Sequence, residues 1–475
     1  MKFFKRYKLA IILNLIGSGC KKFVEIDPPQ NKLVSENVFE SNETAIAALT
    51  GIYSLMMDKE FMPYAIALYS GLSADELINY STTDNLQVYT NSLRPLDAAT
   101  NKIWSLGYNY IYQANSVYEG CRESHSLTPA VKKQLMAEAL FIRAFWHFYL
   151  VNLFGDIPII TTTNYLDNSR AVRGTKEKVY LQLIQDLIIS QEGLSVDYVD
   201  GKGVSSTTDR VRPNIYAAKA LLARVYLYNR EYEKAEQQAS DVINNKLMYD
   251  TVGLNEVFLK NNREAIWQLM KPAPVQGVNT WEGAYFILSS VPTTNFQNSS
   301  AISNGLLSAF ENGDQRKDMW IGKYNDQSTS VVYYFPFKYK VANSDDVTEY
   351  STVLRLAEQY LIRAEARTEQ GNIPGAIEDL DVIRNRAGLS SIKDLYPTIT
   401  KDILSAAIFD ERKIELFTEW GHRWIDLKRT GRLDQVMQLV APIKGSTWNS
   451  TKQLWPIPQQ EIQNNSNLKQ NPGYN

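Results

Sequence analysis

Two stretches far apart in the chain share one spacing. In ALLARVYLYNREYEKAEQQASDVIN, Ala223 is followed by Arg230, Tyr232 and Ala235; in YLIRAEARTEQGNIPGAIEDLDVIRNRAG, Ala364 is followed by Gly371, Ile373 and Ala376 at the same intervals. Each stretch reads as helix, tight turn, helix. The alanines let the two helices of a pair approach closely, and the residue between the turn and the second alanine fills the gap beside them. Pro374 fits the first turn of a helix and Gly388 its C-terminal stop. Any antiparallel helical hairpin uses small residues in this way, but a spacing repeated in two copies asks for one repeated unit. FIRAFW at 141–146 echoes LIRAEA at 361–366 and adds a third related helix.

Helix pairs of this tetratricopeptide (TPR) style bury a core by stacking on their neighbours. Helical periodicity recurs around them. NETAIAALTGIYSLM places Ala45, Leu49, Ile52 and Met56 on one face, and NKIWSLGYNYIYQANSVYEG does the same with Ile103, Leu106, Tyr110 and Ala114. From Ala130 to Phe154 the chain is apolar almost all round in its second half, which predicts a helix buried among others and stopped by Gly155 and Pro158. The expected fold is mainly α. TPR-like pairs near residues 130–155, 213–245 and 353–388 form an α-solenoid-like core. Residues 271–350 break the pattern, being rich in Ser, Thr, Asn, Gly, Pro and aromatics, with short strands expected around Val331–Tyr339. Long ordered loops are seldom idle, so this loop-rich, partly β region is the expected ligand-binding part.

The chain opens MKFFKRYKLAIILNLIGSGCKKFVEIDPP. Lys2, Lys5, Arg6 and Lys8 precede a short apolar run, Leu9 to Ile16, and then Gly17, Ser18 and Gly19. The run is too short to span a bilayer, which takes about 20 residues, and it reads as a secretory signal. Cys20 directly after small residues points to a lipoprotein signal, although Gly17 stands where the usual pattern has a large aliphatic residue. Residues 1–19 are then a signal peptide, 20–40 a lipid-anchored extended tether containing Pro28 and Pro29, and 41–475 a single domain. The formal net charge is −2, and removing four leader cations makes the mature chain more acidic. No basic patch stands out, so nucleic acid is not expected as a partner. With Cys20 lipidated, Cys121 is alone and no internal disulfide forms. Stability must come from core burial. The 28 Tyr, 9 Trp and 17 Phe supply that core and leave rings over for a binding surface.

Catalytic patterns are missing. The three histidines, His125, His147 and His422, lie in separate segments without metal-ligand spacing, so no histidine-based zinc site is expected. There is no P-loop, no GxGxxG after a strand and no GxSxG elbow. Asp75–Glu76 and Asp345–Asp346 are adjacent carboxylates, whereas a glycosidase needs two facing one bond from opposite sides, roughly 5–10 Å apart. Neither an enzymatic activity nor a cofactor is expected.

The C-terminal segment 400–475 carries a signature. LSAAIFDERKIELFTEWGHRWIDLKRTGRLDQVM contains Glu411, Arg412, Glu415, Leu416, Glu419, Gly421, Arg423, Trp424, Asp426, Leu427 and Arg429. It is followed by Trp455-Pro456-Ile457-Pro458 and a closing Asn471-Pro472-Gly473-Tyr474. With AEALFIRAFWHFYLVNLFGDIPI, LRLAEQYLIRAEA and the start CKKFVEIDPP, these segments resemble the SusD/RagB family of Bacteroidetes outer-membrane lipoproteins. The resemblance runs from Cys20 to the end. It implies a helical SusD-like fold with a less regular region packed on it, and a cell-surface, lipid-anchored place in the outer membrane. It also implies a partner, a SusC-like TonB-dependent transporter, and the capture of oligosaccharides for it without catalysis. Peptide capture by the same scaffold stays open, a secreted α-rich glycosidase is a lesser alternative, and a helical adaptor binding only protein is a further one. The charged residues of the signature, at helical spacing beside Trp420 and Trp424, read first as an ion-paired seam holding the last helices on the core.

A sugar ring has an apolar C–H face and a polar rim, so a site for it needs a flat aromatic with amides or carboxylates nearby. Two stretches outside the helical period supply both. SADELINYSTTDNLQVYTN offers Asp75, Asn79, Tyr80 and Tyr89; the loop-rich region offers Trp281, Tyr285, Trp320 and Tyr324. In the resembling family, glycan contacts come from loops after the first helices and from the irregular region between helix pairs, where these residues lie. Arg355 is a further candidate donor, with an ion-pair role as its alternative. At least one of Tyr80, Trp281 and Trp320 is expected to form a stacking platform.

Overall fold

A computed structural model describes residues 38–58, 64–271, 277–293 and 299–474. Cys20, the leader before it and the tether as far as residue 37 lie outside these residues. Twelve helices of eight residues or more occur among the described residues: α1 (Asn42–Met56), α2 (Ala65–Ser73), α3 (Ala98–Glu123), α4 (Pro129–Phe154), α5 (Lys176–Gly193), α6 (Ile215–Tyr228), α7 (Tyr232–Ile243), α8 (Leu356–Glu369), α9 (Ile373–Arg386), α10 (Lys401–Glu415), α11 (His422–Arg429) and α12 (Leu433–Ile443). From α3 to α9 each helix packs on the next, α7 passing directly to α8, and α10 closes the stack against α8 and α9. No helix among the described residues is long and apolar enough to cross a membrane.

The repeated spacing has a physical basis. Ala223 and Ala235, and likewise Ala364 and Ala376, are fully buried, where α6 meets α7 and α8 meets α9. Between them, Arg230 and Gly371 both turn the chain through the left-handed region, with φ of 61° and 84°. Glycine does this without a Cβ penalty; arginine does not. The FIRAFW/LIRAEA echo is also explained. Arg143 on α4 forks onto Asp186 of α5 at 2.8 and 2.6 Å, and Arg363 on α8 forks onto Asp379 of α9 at 2.9 and 2.6 Å.

α4 is the spine. Proline at its first position starts it, Gly155 at φ 76° ends it, and every residue from Ala137 to Phe154 is buried. His147 on this helix is neutral, pushed down to about 3 by burial and then by Arg143. Its Nε2 accepts the Ile160 N–H at 3.3 Å, so its Nδ1 donates to the Arg143 carbonyl at 3.0 Å, and the chain leaving α4 is fixed there. The closing signature returns to the same place. The Trp455 N–H donates to the Leu153 carbonyl (2.9 Å), and the Asn471 amide to Phe154 O (2.8 Å) and Trp455 O (2.7 Å). Cys121 is a buried free thiol.

The irregular region is built from small antiparallel sheets. β1 (Leu77–Asn79) pairs with β5 (Ser300–Ile302), β2 (Ile157–Pro158) with β3 (Arg173–Gly174), β4 (Ala265–Leu269) with β8 (Ser351–Arg355), and β6 (Ile321–Asn325) with β7 (Val332–Pro336). β7 falls within the 331–339 stretch that its β-branched and aromatic residues predict. β5 also packs against β7, so the two sheets that bring residues 77–80 and 321–336 together adjoin. Under them lies a second apolar cluster, separate from the main core, containing Leu254, Phe258, Trp320, Tyr339 and Phe417.

Candidate functional site

β1 and β7 place tyrosines side by side. The Tyr80 N–H continues the β1–β5 pairing by donating to Ser299 O at 2.7 Å. The Tyr80 ring meets Tyr333 edge to face, with centroids 5.5 Å apart. Tyr333 lies directly across the β6–β7 hairpin from Tyr324, and opposite residues of an antiparallel pair share a face. Tyr89, on the short helix after the 80–85 loop, completes the group: partial burial and then Tyr80 raise its phenol, as partial burial and then Tyr333 raise that of Tyr80. All four rings are half-buried. Each therefore keeps an accessible part beside a supported one, which a platform for an apolar sugar face requires.

Asn79 stands next to this group but is occupied with the loop itself. Its amide donates to Ser81 O (2.9 Å) and Asp84 O (3.1 Å), and its Oδ1 accepts the Ser81 N–H (3.4 Å). It shapes the turn that presents Tyr80 and Tyr89.

Five other residues expected at the ligand surface are placed elsewhere. Trp320 is fully buried in the second apolar cluster, donating its indole N–H to Leu254 O at 2.9 Å. Trp281 is 6% exposed and donates to Met57 O at 2.6 Å. Tyr285 is buried, stacked on Tyr64 at 4.7 Å, with its hydroxyl 3.0 Å from that of Ser299. These three rings are core: Trp281 and Tyr285 pack into the main apolar core, and Trp320 fills the second cluster. Arg355 is buried at the start of α8, where its guanidinium reaches Glu419, Glu415 and Glu264. Asp75 accepts both arms of Arg423, at 2.7 and 2.9 Å, with Lys413 at 3.1 Å. Burial alone would raise the Asp75 carboxyl, but Arg423 and Lys413 hold it well below the usual carboxylate range. Its neighbour Glu76 is pushed up to about 8 by burial and then by Asp75. A split pair of this kind would suit acid–base work if substrate could reach it; at 9% and 2% exposure it is interior.

The C-terminal signature is the ion-paired seam. Arg316 bonds Asp314, Glu411 and Glu415; Arg386 bonds Glu264 and Glu415; Lys338 bonds Glu419; Arg412 and Arg429 share Asp426. Burial opposes ionisation of Glu415, but Arg386, Arg355 and Arg316 keep it well below the usual range. Among the described residues no group of three or more His, Cys, Asp and Glu side chains could hold a metal ion. Tyr333 is a candidate that no sequence feature singles out. The alternation in VVYYFPF marks a strand but does not tell which of its rings stay accessible.

The fold and this face define a helical-repeat scaffold carrying an irregular, tyrosine-bearing surface. Residues 22–227 match a SusD-like family model described as starch-binding associating with outer membrane, and residues 276–474 match the SusD family model. The chain belongs to the SusD/RagB family. SusD-like protein P25 of Formosa agariphila is 25% identical, over 96% of this chain and 96% of its own length. The starch-binding protein SusD of Bacteroides thetaiotaomicron is 26% identical, over 78% of this chain and 77% of its own. Among solved structures, a SusD superfamily protein of Bacteroides vulgatus superposes with a TM-score of 0.78 at 20% identity, covering 92% of this chain and all of the other. A laminarin-binding SusD-like protein does so with a TM-score of 0.74 at 23% identity, covering 90% and 99%. These two likenesses establish the fold.

Proposed function

We propose that this protein is a non-catalytic, cell-surface lipoprotein that captures oligosaccharides and delivers them to a SusC-like TonB-dependent transporter. The observation that carries the reading is the group Tyr80, Tyr89, Tyr324 and Tyr333, held half-exposed on the non-helical face. A pyranose lays its C–H face on one of these rings while phenol hydroxyls meet its rim. The relatives named for starch and laminarin binding supply the substrate class, and the family description supplies the membrane. The interior position of Asp75 and Glu76 and the commitment of Arg355 to ion pairs fit capture without turnover. The lipid anchor at Cys20 and the transporter rest on the family resemblance and on the leader sequence.

Isothermal titration of the full chain with maltohexaose and laminarihexaose tests capture. Tyr80→Ala and Tyr333→Ala should each weaken binding about tenfold, roughly 1.4 kcal/mol, with the melting temperature changed by no more than a degree or two. Normal binding by both variants, or losses that track instability, would place the site elsewhere. If peptides titrate and no saccharide does, the scaffold captures peptide. For the anchor, Cys20→Ala should move the protein out of the membrane fraction in cells lacking the transporter.

A further inference from the structure

α3, the chain between α4 and α5, and the short helix Gln459–Asn464 enclose a cleft of about 510 Å³. That lies within the roughly 300–1,000 Å³ of small-molecule sites. None of the four tyrosines described above lines it. Its floor includes Trp104, 2% exposed, tilted against Tyr108 with centroids 4.9 Å apart. Tyr112 and Tyr165 also line it and are 51% and 78% exposed. A ring left that far in water adds little to the core, so two such rings at one cleft are surplus to folding.

Two polar side chains of the lining are engaged with the chain itself: Ser169 donates to Leu166 O at 3.2 Å, and Asn465 donates to Ala171 O at 2.8 Å and accepts the Asn467 N–H at 3.0 Å. Tyr108 is satisfied, its hydroxyl donating to Pro158 O at 2.8 Å. Asn168 donates through its amide nitrogen to Thr162 O at 2.8 Å, which leaves its Oδ1 to accept. Asn464 accepts from Gln460 at 3.0 Å, which leaves its amide nitrogen to donate. Glu461 lines the cleft and makes no side-chain hydrogen bond or ion pair among the described residues. No lysine or arginine lines the cleft. Arg173, which like Glu461 acts on the Tyr108 phenol, has its donors taken by Asp156 O, Lys469 O and Asn471.

We propose that this cleft is a second saccharide-binding site, specific for uncharged hexose units. It rests on the glycan-capture reading above and adds a second point of attachment. Sugar hydroxyls both donate and accept, so they can donate to Glu461 and Asn168 and accept from Asn464, while the C–H faces lie on Tyr112 and Tyr165. Among the described residues Glu461 is the one acidic side chain lining the cleft and no lysine or arginine lines it, so the cleft disfavours uronates and sulfated sugars. Two sites on one chain raise the avidity for a polymer that spans both.

The test titrates the full chain with maltohexaose, laminarihexaose and, as an acidic control, a galacturonate hexamer. Tyr165→Ala and Glu461→Gln are measured singly and in the Tyr80→Ala background. The proposal expects two binding events for one neutral hexamer. The cleft variants should weaken one of them at least fivefold and leave the other, and Tyr80→Ala should do the reverse. Binding of the acidic hexamer that depends on Tyr165 would overturn the stated specificity. If Tyr80→Ala removes all neutral-sugar binding and the cleft variants change nothing, the cleft proposal fails and the capture reading stands. If the native chain binds no saccharide, both fail together.

Discussion

Replacing Arg355 by methionine keeps the length of the side chain and deletes its charge. The native guanidinium is 2% exposed and is met by Glu419 at 2.7 and 2.8 Å, Glu415 at 2.6 Å and Glu264 at 3.0 Å, with the Glu415 carbonyl at 2.7 Å. Every carboxylate in that shell keeps another cation when Arg355 is lost: Arg316 and Arg386 for Glu415, Arg386 for Glu264, Lys338 for Glu419. No acid is stranded, so the cost stays within the roughly 3–5 kcal/mol found when one partner of a buried pair is removed. At about 2.1 cal/mol/K per residue, the unfolding entropy of a chain this size is about 1 kcal/mol/K, and the melting temperature should fall by about 3–5 °C. Arg355→Lys keeps the charge but not the planar fork and should fall between. Differential scanning calorimetry reads the stability, and titration with maltohexaose and laminarihexaose reads the affinity, which should stay within twofold of native. If Arg355→Met leaves the melting temperature within a degree and cuts glycan affinity, Arg355 is a ligand donor and the seam argument is wrong.

Trp320→Ala should cost about 3–5 kcal/mol, the usual price of emptying a buried tryptophan site, seen as an earlier urea midpoint; a stable variant that loses glycan would return Trp320 to the ligand surface. Arg230→Gly should stabilise by about 0.5–1 kcal/mol in urea melts, because relief at φ 61° outweighs the extra freedom of the unfolded chain. Glu76 tests pH. Its folded pKa, pushed up to about 8, lies above the unfolded value, so its contribution is full below about pH 4.5 and is lost as pH rises to about 8. Glu76→Gln should flatten that decline, by a few kcal/mol between pH 5 and 8 in urea melts; an unchanged pH profile would show that Glu76 is ionised in the folded chain.

The helical repeat was readable in the sequence because its requirements are local. A close approach needs alanine, and the interval from alanine through a left-handed turn to alanine is the same at 223–235 and 364–376, although Arg230 makes the turn in one copy and Gly371 in the other. The seam was half readable. Charges at helical spacing from Glu411 to Asp426 announced ion pairs, but their partners Glu264, Arg316, Lys338, Arg355 and Arg386 come from distant segments that no periodicity links to them. The ligand face was least readable. Between residues 271 and 350 no repeating pattern separates an inward ring from an outward one. Trp281, Tyr285 and Trp320 therefore looked available, yet Trp281 and Tyr285 dock into the main core and Trp320 fills the second cluster. Tyr80, Tyr89 and Tyr324 kept a surface place, and Tyr333 joined them through a strand pairing that only the fold reveals.

The seam and the tyrosine face are one construction. Asp75, two residues before β1, is clamped by Arg423 of α11 and Lys413 of α10. The Lys444 ammonium, just past α12, donates to the carbonyls of Leu72, Ser73 and Ala74, capping α2 where the chain turns toward β1, and stands 5.1 Å from the Tyr89 ring centroid. On the other side, Lys338 follows β7 by two residues and is drawn under the hairpin by Glu419 and by the Glu415 carbonyl at 2.8 Å. The strands that carry Tyr80 and Tyr333 are thus each tied, within a few residues, to the same C-terminal helices. Burying so many charges is a poor way to gain stability, since apolar residues of similar volume often do better. Directional forks, however, fix two short strands at one separation in a region with little regular sheet to do so. The C-terminal residues that mark the family in this chain therefore touch no ligand in this reading. Under the proposed function they set the distance between the surfaces that do, which leaves the choice of saccharide to the few side chains mounted on them.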